Sequence, residues 1–146
     1  MKYNDNGEWK DIYVKTLDSL PTGAIVDYDG TTLPDGWVEY NDYSESEINT
    51  GKSWIDGKPI YRKVVHINGL PNSTTKIISH NIQSPKRFIN VTGFAFRSSD
   101  NVNIALPYSH PTTPVTIYAN STNLVVETTS DRTAWDGYAI LEYTKN

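Results

Sequence analysis

The sequence predicts an all-β fold, and within that class an antiparallel β-sandwich of jelly-roll type. Period-two runs of β-branched and aromatic residues recur along the chain, and each run is bounded by Gly, Pro, Asn, Asp or Ser. The runs are short and closely spaced, with turn residues between them, which is typical of sandwiches and barrels. With 146 residues, the chain is long enough to bury a substantial core.

The predicted strands are taken in chain order. They cover residues 9–15, 23–28, 36–40, 54–55, 60–67, 74–80, 87–96, 101–106, 115–119, 124–128 and 137–144. Between 54–55 and 60–67, the pair Asp56 and Gly57 predicts a tight hairpin turn, since Gly accepts a positive φ without strain. The Pro-rich stretch 107–114 cannot supply a continuous row of N–H donors, so we expect a loop there.

One segment has the signal of a helix. Ser44 and Glu47 have the spacing of a capping box, and Gly51 follows where a helix would end. The sequence therefore predicts at most one or two short helical turns near residues 44–50.

The last predicted strand is apolar on both faces. Ala139, Leu141 and Tyr143 alternate onto one face, while Tyr138 and Ile140 lie on the other. One face is expected to meet the sandwich core. The second needs cover from a neighbouring strand layer, a loop or another subunit.

Composition excludes several classes of function. The net charge is −4, and Lys and Arg form no stripe, so no nucleic acid partner is expected. The chain has no cysteine, which excludes disulfides and thiolate metal sites. Its first residues lack the apolar stretch of a signal peptide, and no segment approaches about 20 apolar residues, so no membrane insertion is expected.

No catalytic residue, metal ligand or cofactor is predicted, and the chain is not expected to be an enzyme. There is no nucleophile elbow, and the histidines, His66, His80 and His110, lack the spacing of a metal site. No Gly-rich loop opens a helix to hold phosphate. Two Asp pairs, 27 with 29 and 131 with 136, could supply glycosidase carboxylates, but Asp near Gly more often belongs to turn chemistry.

A carbohydrate-binding surface is the favoured alternative to catalysis. The chain has 4 Trp and 10 Tyr, and aromatic rings stack on sugar faces while polar side chains bind the hydroxyls. The predicted ligand-binding residues lie in two loops: Asp131, Arg132, Trp135, Tyr108 and His110. The competing interpretation is a turn at Asp131 and Arg132, with Trp135 closing the end of the core.

Particular strings resemble a known class of protein. GEWKDIYVK (7–15), PTGAIV (21–26) and LPDGW (33–37) resemble the linker and collar-like segment of bacteriophage tail fibre and appendage proteins. WIDGKPIYRK (54–63) and AILEYTK (139–145) resemble the C-terminal module of such proteins in phages and prophages of Gram-positive and gut bacteria.

The resemblance implies a virion appendage that displays a β-sandwich towards the host envelope. Its implied partners are copies of itself in a homotrimer, a host cell-surface polysaccharide, and other virion proteins that bind the N-terminal segment. It also implies synthesis in the bacterial cytoplasm and a final location in the phage particle. Residues 1–50 would be the collar-like attachment segment and residues 51–146 the sandwich module.

Phage fibres usually carry a long shaft before such a module, and here at most a short segment precedes Gly23. The chain would then be an excised or separately encoded tip, or a small decoration protein that attaches by its own N-terminus. Three functions stay open: host recognition through a glycan, a purely structural role in trimerisation or attachment, and a carbohydrate-active enzyme.

Overall fold

The structure is a computed structural model that describes residues 2–5, 8–11 and 42–146. The chain divides into two compact units, Met1–Asn41 and Asp42–Asn146. In the first unit, β1 (Lys2–Asp5) and β2 (Glu8–Asp11) form an antiparallel pair. The predicted strands 23–28 and 36–40, and the end of 9–15, lie outside the described residues.

The second unit contains two antiparallel sheets. Its strands are β3 (Ile48–Ser53), β4 (Pro59–His66), β5 (Thr75–Ser79), β6 (Pro85–Arg97), β7 (Val102–Leu106), β8 (Val115–Ala119), β9 (Asn123–Thr128) and β10 (Asp136–Lys145). The larger sheet has the order β3-β4-β10-β6-β7 and the smaller one β5-β9-β8. The all-β prediction is confirmed. The predicted jelly-roll topology is not confirmed by this strand order.

The hydrophobic core lies between the two sheets. Of the two apolar faces of β10, the one that meets the core carries Ala139, Leu141 and Tyr143, each 0% exposed. The smaller sheet contributes inward residues from β8 and β9, among them Ile117 and Leu124. Since neither sheet could bury its apolar face alone, packing of the two faces against each other stabilises the sandwich.

The predicted hairpin turn joins β3 and β4. Gly57 has a φ of 79°, and its N–H donates to the Trp54 carbonyl oxygen at 2.9 Å. The Trp54 N–H donates in turn to the Lys58 carbonyl oxygen at 2.8 Å. Residues 54–55, which the sequence predicts as a strand, therefore belong to the turn.

The capping-box sequence does not begin a helix, and none of residues 42–146 is helical. Ser44 Oγ accepts a hydrogen bond from the Ser46 N–H. The Glu47 carboxylate accepts instead from the Tyr143 hydroxyl and the Lys145 ammonium, which are distant in sequence. Gly51, with a φ of 71°, lies inside β3, so the predicted boundary between residues 50 and 51 falls within a strand.

The outer face of the larger sheet has a row of four rings. His66, Tyr138, Phe94 and Phe96 form this outer ring row, with successive centroids 4.6, 5.8 and 6.3 Å apart. The register causes the contact, because Tyr138 on β10 lies opposite His66 on β4 and Phe94 on β6. Phe94 remains 42% exposed, so the rings of this face do not cover one another completely.

Candidate functional site

Two loops that connect the sheets meet at the predicted site. Residues 107–114 join β7 to β8, and residues 129–135 join β9 to β10. Arg132 links the loops, because its Nη2 donates to both the carbonyl oxygen and the hydroxyl oxygen of Thr113, each at 3.0 Å. The first loop is closed at its base by paired backbone hydrogen bonds between Tyr108 and Val115.

The predicted residues Tyr108, His110 and Arg132 lie together, and with Thr113 they form what we name the Arg132 cluster. Arg132 Cζ lies 5.7 Å from the Tyr108 ring centroid, within the range of a cation–π contact. The Tyr108 and His110 rings are stacked, with centroids 5.7 Å apart and planes 19° apart. His110 is exposed and Tyr108 is half-buried.

Trp135 belongs to the core and does not present its ring to a ligand. It is 5% exposed and packs within the main hydrophobic cluster. Two guanidinium groups contact its ring, with Arg97 Cζ at 4.8 Å and Arg132 Cζ at 5.3 Å from the centroid. The competing interpretation, in which Trp135 closes the end of the core, is the arrangement observed. Trp135 therefore helps to position Arg132 through this cation–π contact.

Asp131 stabilises its own turn. Its Oδ1 accepts from the Thr133 N–H at 2.9 Å and from the Thr133 hydroxyl at 2.8 Å. These hydrogen bonds lower the pKa of the Asp131 carboxyl. Asp131 forms no ion pair with Arg132, its neighbour in the chain. The Asp131 carboxylate therefore does not neutralise the charge of Arg132.

The hydrogen bonds of His110 determine its tautomer. Nδ1 faces the N–H groups of Thr112 and Thr113 at 3.3 and 3.2 Å, and it accepts from them. A neutral imidazole whose Nδ1 accepts must carry its hydrogen on Nε2. His110 therefore offers an Nε2–H donor from an exposed side chain.

The other two histidines have structural contacts. His80 is 1% exposed; its Nδ1 accepts from the Ile82 N–H at 3.1 Å, and its Nε2 lies 3.0 Å from the Asn120 carbonyl oxygen. His66 Nε2 lies 2.7 Å from Asp136 Oδ2. Asp136 Oδ1 accepts from the N–H groups of Gly69 and Gly137 at 2.9 and 2.8 Å. Asp131 and Asp136 thus each serve separate local hydrogen bonds.

Asp136→Asn is expected to reduce the free energy of unfolding by about 1 kcal/mol at neutral pH, a figure discounted for solvent exposure. Burial opposes ionisation of Asp136, but hydrogen bonds from Gly69, His66 and Gly137 outweigh it, so its pKa lies below the ordinary 3.8. Because the folded-state pKa is lowered, this stabilisation is complete above 3.8 and is lost as the pH falls through the lowered value. Urea unfolding of both proteins at pH values around and below 3.8 measures it; a difference that does not shrink there would contradict this account.

Two further findings concern the described part of the chain. Residues 2–5, 8–11 and 42–146 contain no group of three or more His, Cys, Asp or Glu that could hold a metal ion. Within the same residues there is no helix with the length and apolar character needed to cross a membrane.

Comparisons with known proteins identify no relative of this chain. No family model, no curated protein and no solved structure matches this chain. The class of protein that the structure itself defines is an all-β protein with a two-sheet antiparallel unit and two linked loops at its candidate site.

The sequence prediction omitted two contributors to the site. Thr113 binds Arg132 partly through a backbone carbonyl oxygen, and such an acceptor leaves no signal in the sequence. Arg97 reaches Trp135 from the end of β6. The outer ring row did leave a signal, because Phe94 and Phe96 alternate with Ala95 along the predicted strand 87–96.

Proposed function

We propose that this chain is a phage virion appendage domain, the tip of a tail or head fibre, which recognises the host surface by binding a cell-surface glycan. The strings that resemble phage appendage proteins support this proposal, as does the two-sheet fold. The single observation that carries the site is the joining of two loops through Arg132 and Thr113, with Tyr108 and His110 beside them.

The chemistry of the Arg132 cluster suits a sugar. The half-buried Tyr108 contributes a ring and a hydroxyl, and the exposed His110 adds a second ring and a donor. Sugar-binding sites combine such aromatic surface with a few placed polar groups. Arg132 is fixed by Thr113 and by two rings, so little side-chain entropy would be lost when a ligand binds.

Tyr108→Ala is expected to abolish binding of the fluorescently labelled protein to cells of a susceptible bacterium, found by screening Gram-positive and gut isolates. The substitution removes both the ring that Arg132 contacts and the ring that His110 stacks on. The matched control is Tyr118→Ala, which removes an exposed tyrosine from the smaller sheet and should leave binding unchanged. Melting temperatures of both variants establish that they are folded.

His110→Ala provides a second variant, since this side chain is exposed and its loss costs little core packing. A wild-type protein that binds no isolate, or binding that survives both Tyr108→Ala and His110→Ala, would refute recognition through the Arg132 cluster.

A structural role in trimerisation is the second proposed function, and the outer ring row favours it. Phe94 is 42% exposed, and Ile140 lies between Val64 and Thr92 in the same sheet, next along β10 from the rings. Exposed apolar surface of this kind is typical of subunit contacts. Further copies of this chain, placed around a three-fold axis, would bury the rings.

Phe94→Lys is expected to convert a trimer into monomers, because a lysine would place a charge in the apolar contact. Light scattering coupled to size-exclusion chromatography measures the molar mass. Ile77→Lys is the matched control: Ile77 is 66% exposed but lies on β5, in the other sheet, so the trimer should persist. A monomeric wild-type protein, or a Phe94→Lys trimer, would exclude the outer ring row as the contact.

A further inference from the structure

We infer that the Arg132 cluster binds an anionic group of its glycan, a carboxylate or a phosphate. This inference rests on the proposed function and specifies the chemical class of ligand at the same site. It depends on the charge of Arg132, which forms no ion pair with any of residues 42–146, and on the neighbouring donors.

Arg132 differs from the other arginines that contact aromatic rings. Arg62 lies over Tyr43 and pairs with Glu142 at 2.8 Å; Arg97 lies over Trp135 and pairs with Asp100 at 2.6 Å. Arg132 has no carboxylate partner among residues 42–146. Within residues 42–146, the charge of the Arg132 guanidinium therefore has no counter-ion.

The Arg132 guanidinium is partly withdrawn from water, which increases its attraction for an anion. Nε is buried and has no hydrogen-bond partner among the described residues, while Nη2 is occupied by Thr113. Nη1 has no hydrogen-bond partner among residues 42–146. A cation in a less polar environment attracts an anion more strongly than a fully solvated one does. Nη1 is the atom that would meet the ligand.

The neighbouring groups add donors. His110 presents its Nε2–H, because Nδ1 already accepts from Thr112 and Thr113. The Tyr108 side chain is half-buried, and its hydroxyl has no hydrogen-bond partner among residues 42–146, so it can donate as well. These two donors, together with Nη1 of Arg132 itself, match the acceptor oxygens of a carboxylate or phosphate. A neutral sugar hydroxyl would not supply a counter-charge for Arg132.

The nearest carboxylate in sequence weakens this anion preference only in part. Asp131 is exposed, and its Oδ1 is held by the backbone and hydroxyl of Thr133. Exposed charges are screened by water and salt, whereas contacts of the half-buried Arg132 are screened less. We expect Asp131→Asn to strengthen anion binding, by roughly twofold to threefold, for a charge at this exposure.

The test measures binding by isothermal titration calorimetry to three probes: polygalacturonic acid, its carboxyl-reduced neutral form, and a polyglycerol phosphate teichoic acid. The wild-type protein should bind at least one anionic probe about tenfold or more tightly than the neutral polymer, a ratio that one charge-assisted contact provides. The two anionic probes separate carboxylate from phosphate recognition. Arg132→Gln should remove this preference, and Arg132→Lys should restore part of it because lysine keeps the charge but not the fork.

The outcomes separate the two proposals. If the neutral polymer binds as tightly as both anionic ones, or if the anion preference persists in Arg132→Gln, the inference is wrong while glycan recognition stands. If no probe binds and the susceptible cells of the earlier screen are not recognised either, the proposed function fails with it. The wild-type comparison of the acidic and reduced polymers needs no variant, so it decides the inference even if Arg132→Gln does not fold.

Discussion

Trp135→Ala is expected to lower the free energy of unfolding by about 3–5 kcal/mol, the usual cost of removing a buried tryptophan side chain. Trp135 is 5% exposed and packs in the core cluster. The substitution would also remove the ring beneath Arg97 and Arg132. Chemical denaturation at neutral pH measures the loss. Glycan binding should fail as a consequence, because Arg132 would lose its support.

Trp135→Phe is the control for this prediction. It keeps an aromatic ring under the guanidinium groups and leaves a smaller cavity, so a cost of about 1–2 kcal/mol is expected. If Trp135→Ala instead left stability unchanged and abolished binding alone, Trp135 would be a ligand contact, and the position observed for it in the core would be contradicted.

Gly93→Ala is expected to cost about 3 kcal/mol of stability, at the upper end for an overpacked site. Gly93 lies on β6 opposite Ala139 of the central strand β10. A Cβ atom there would clash with the Tyr138 carbonyl oxygen and lie 3.0 Å from the Ala139 Cα, both backbone atoms. Relief would require the two strands to separate, because a backbone cannot rotate aside as a side chain can.

Gly57→Ala is the matched control for Gly93→Ala. Gly57 has a φ of 79° but open space around it, so a methyl group would meet no atom within 4 Å. Only the cost of a left-handed alanine is expected, about 1–2 kcal/mol. Urea denaturation compares the two variants. A Gly93→Ala protein as stable as Gly57→Ala would show that β6 and β10 are not packed as closely as described.

Most strands could be predicted because local alternation determines them, whereas β3 could not. The strands β4 to β10 each contain a period-two run, and their bounds agree with the predicted ranges within two residues. β3 has the sequence INTGKS, which is polar and contains a glycine. It is a strand because it pairs with β4 at the sheet edge and because Thr50 Oγ1 donates to the Ile60 carbonyl oxygen. Such long-range contacts leave no local pattern.

The sequence predicted Tyr108, His110 and Arg132 as members of the candidate site, but it did not predict Thr113 or the role of each residue. The residue types in both loops indicated a binding site. Nothing in the sequence shows, however, that Arg132 of one loop binds Thr113 of the other. Trp135 stands in a polar stretch, next to Asp136 and three residues after Arg132. That setting suggests exposure, and only the packing of the two sheets shows that the ring is buried.

For the two apolar faces of β10, too, the sequence predicts one part of the structure and the pairing of distant strands determines the other. The alternation of Tyr138 and Ile140 with Ala139 and Leu141 predicts that both faces need cover. The outer ring row forms only because the register brings Phe94 and His66 beside Tyr138. Register between strands distant in sequence is determined by pairing and not by any single run.

The most direct test of the account is to map where a glycan binds. In a titration of ¹⁵N-labelled protein with fragments of the polysaccharide of a susceptible host, amide resonances of residues 108–110, 112–113 and 131–135 should shift. Those of the turn at residues 54–58 should not. Shifts confined to the outer ring row, or to the turn between β3 and β4, would contradict the claim that the loops joined by Arg132 form the binding site.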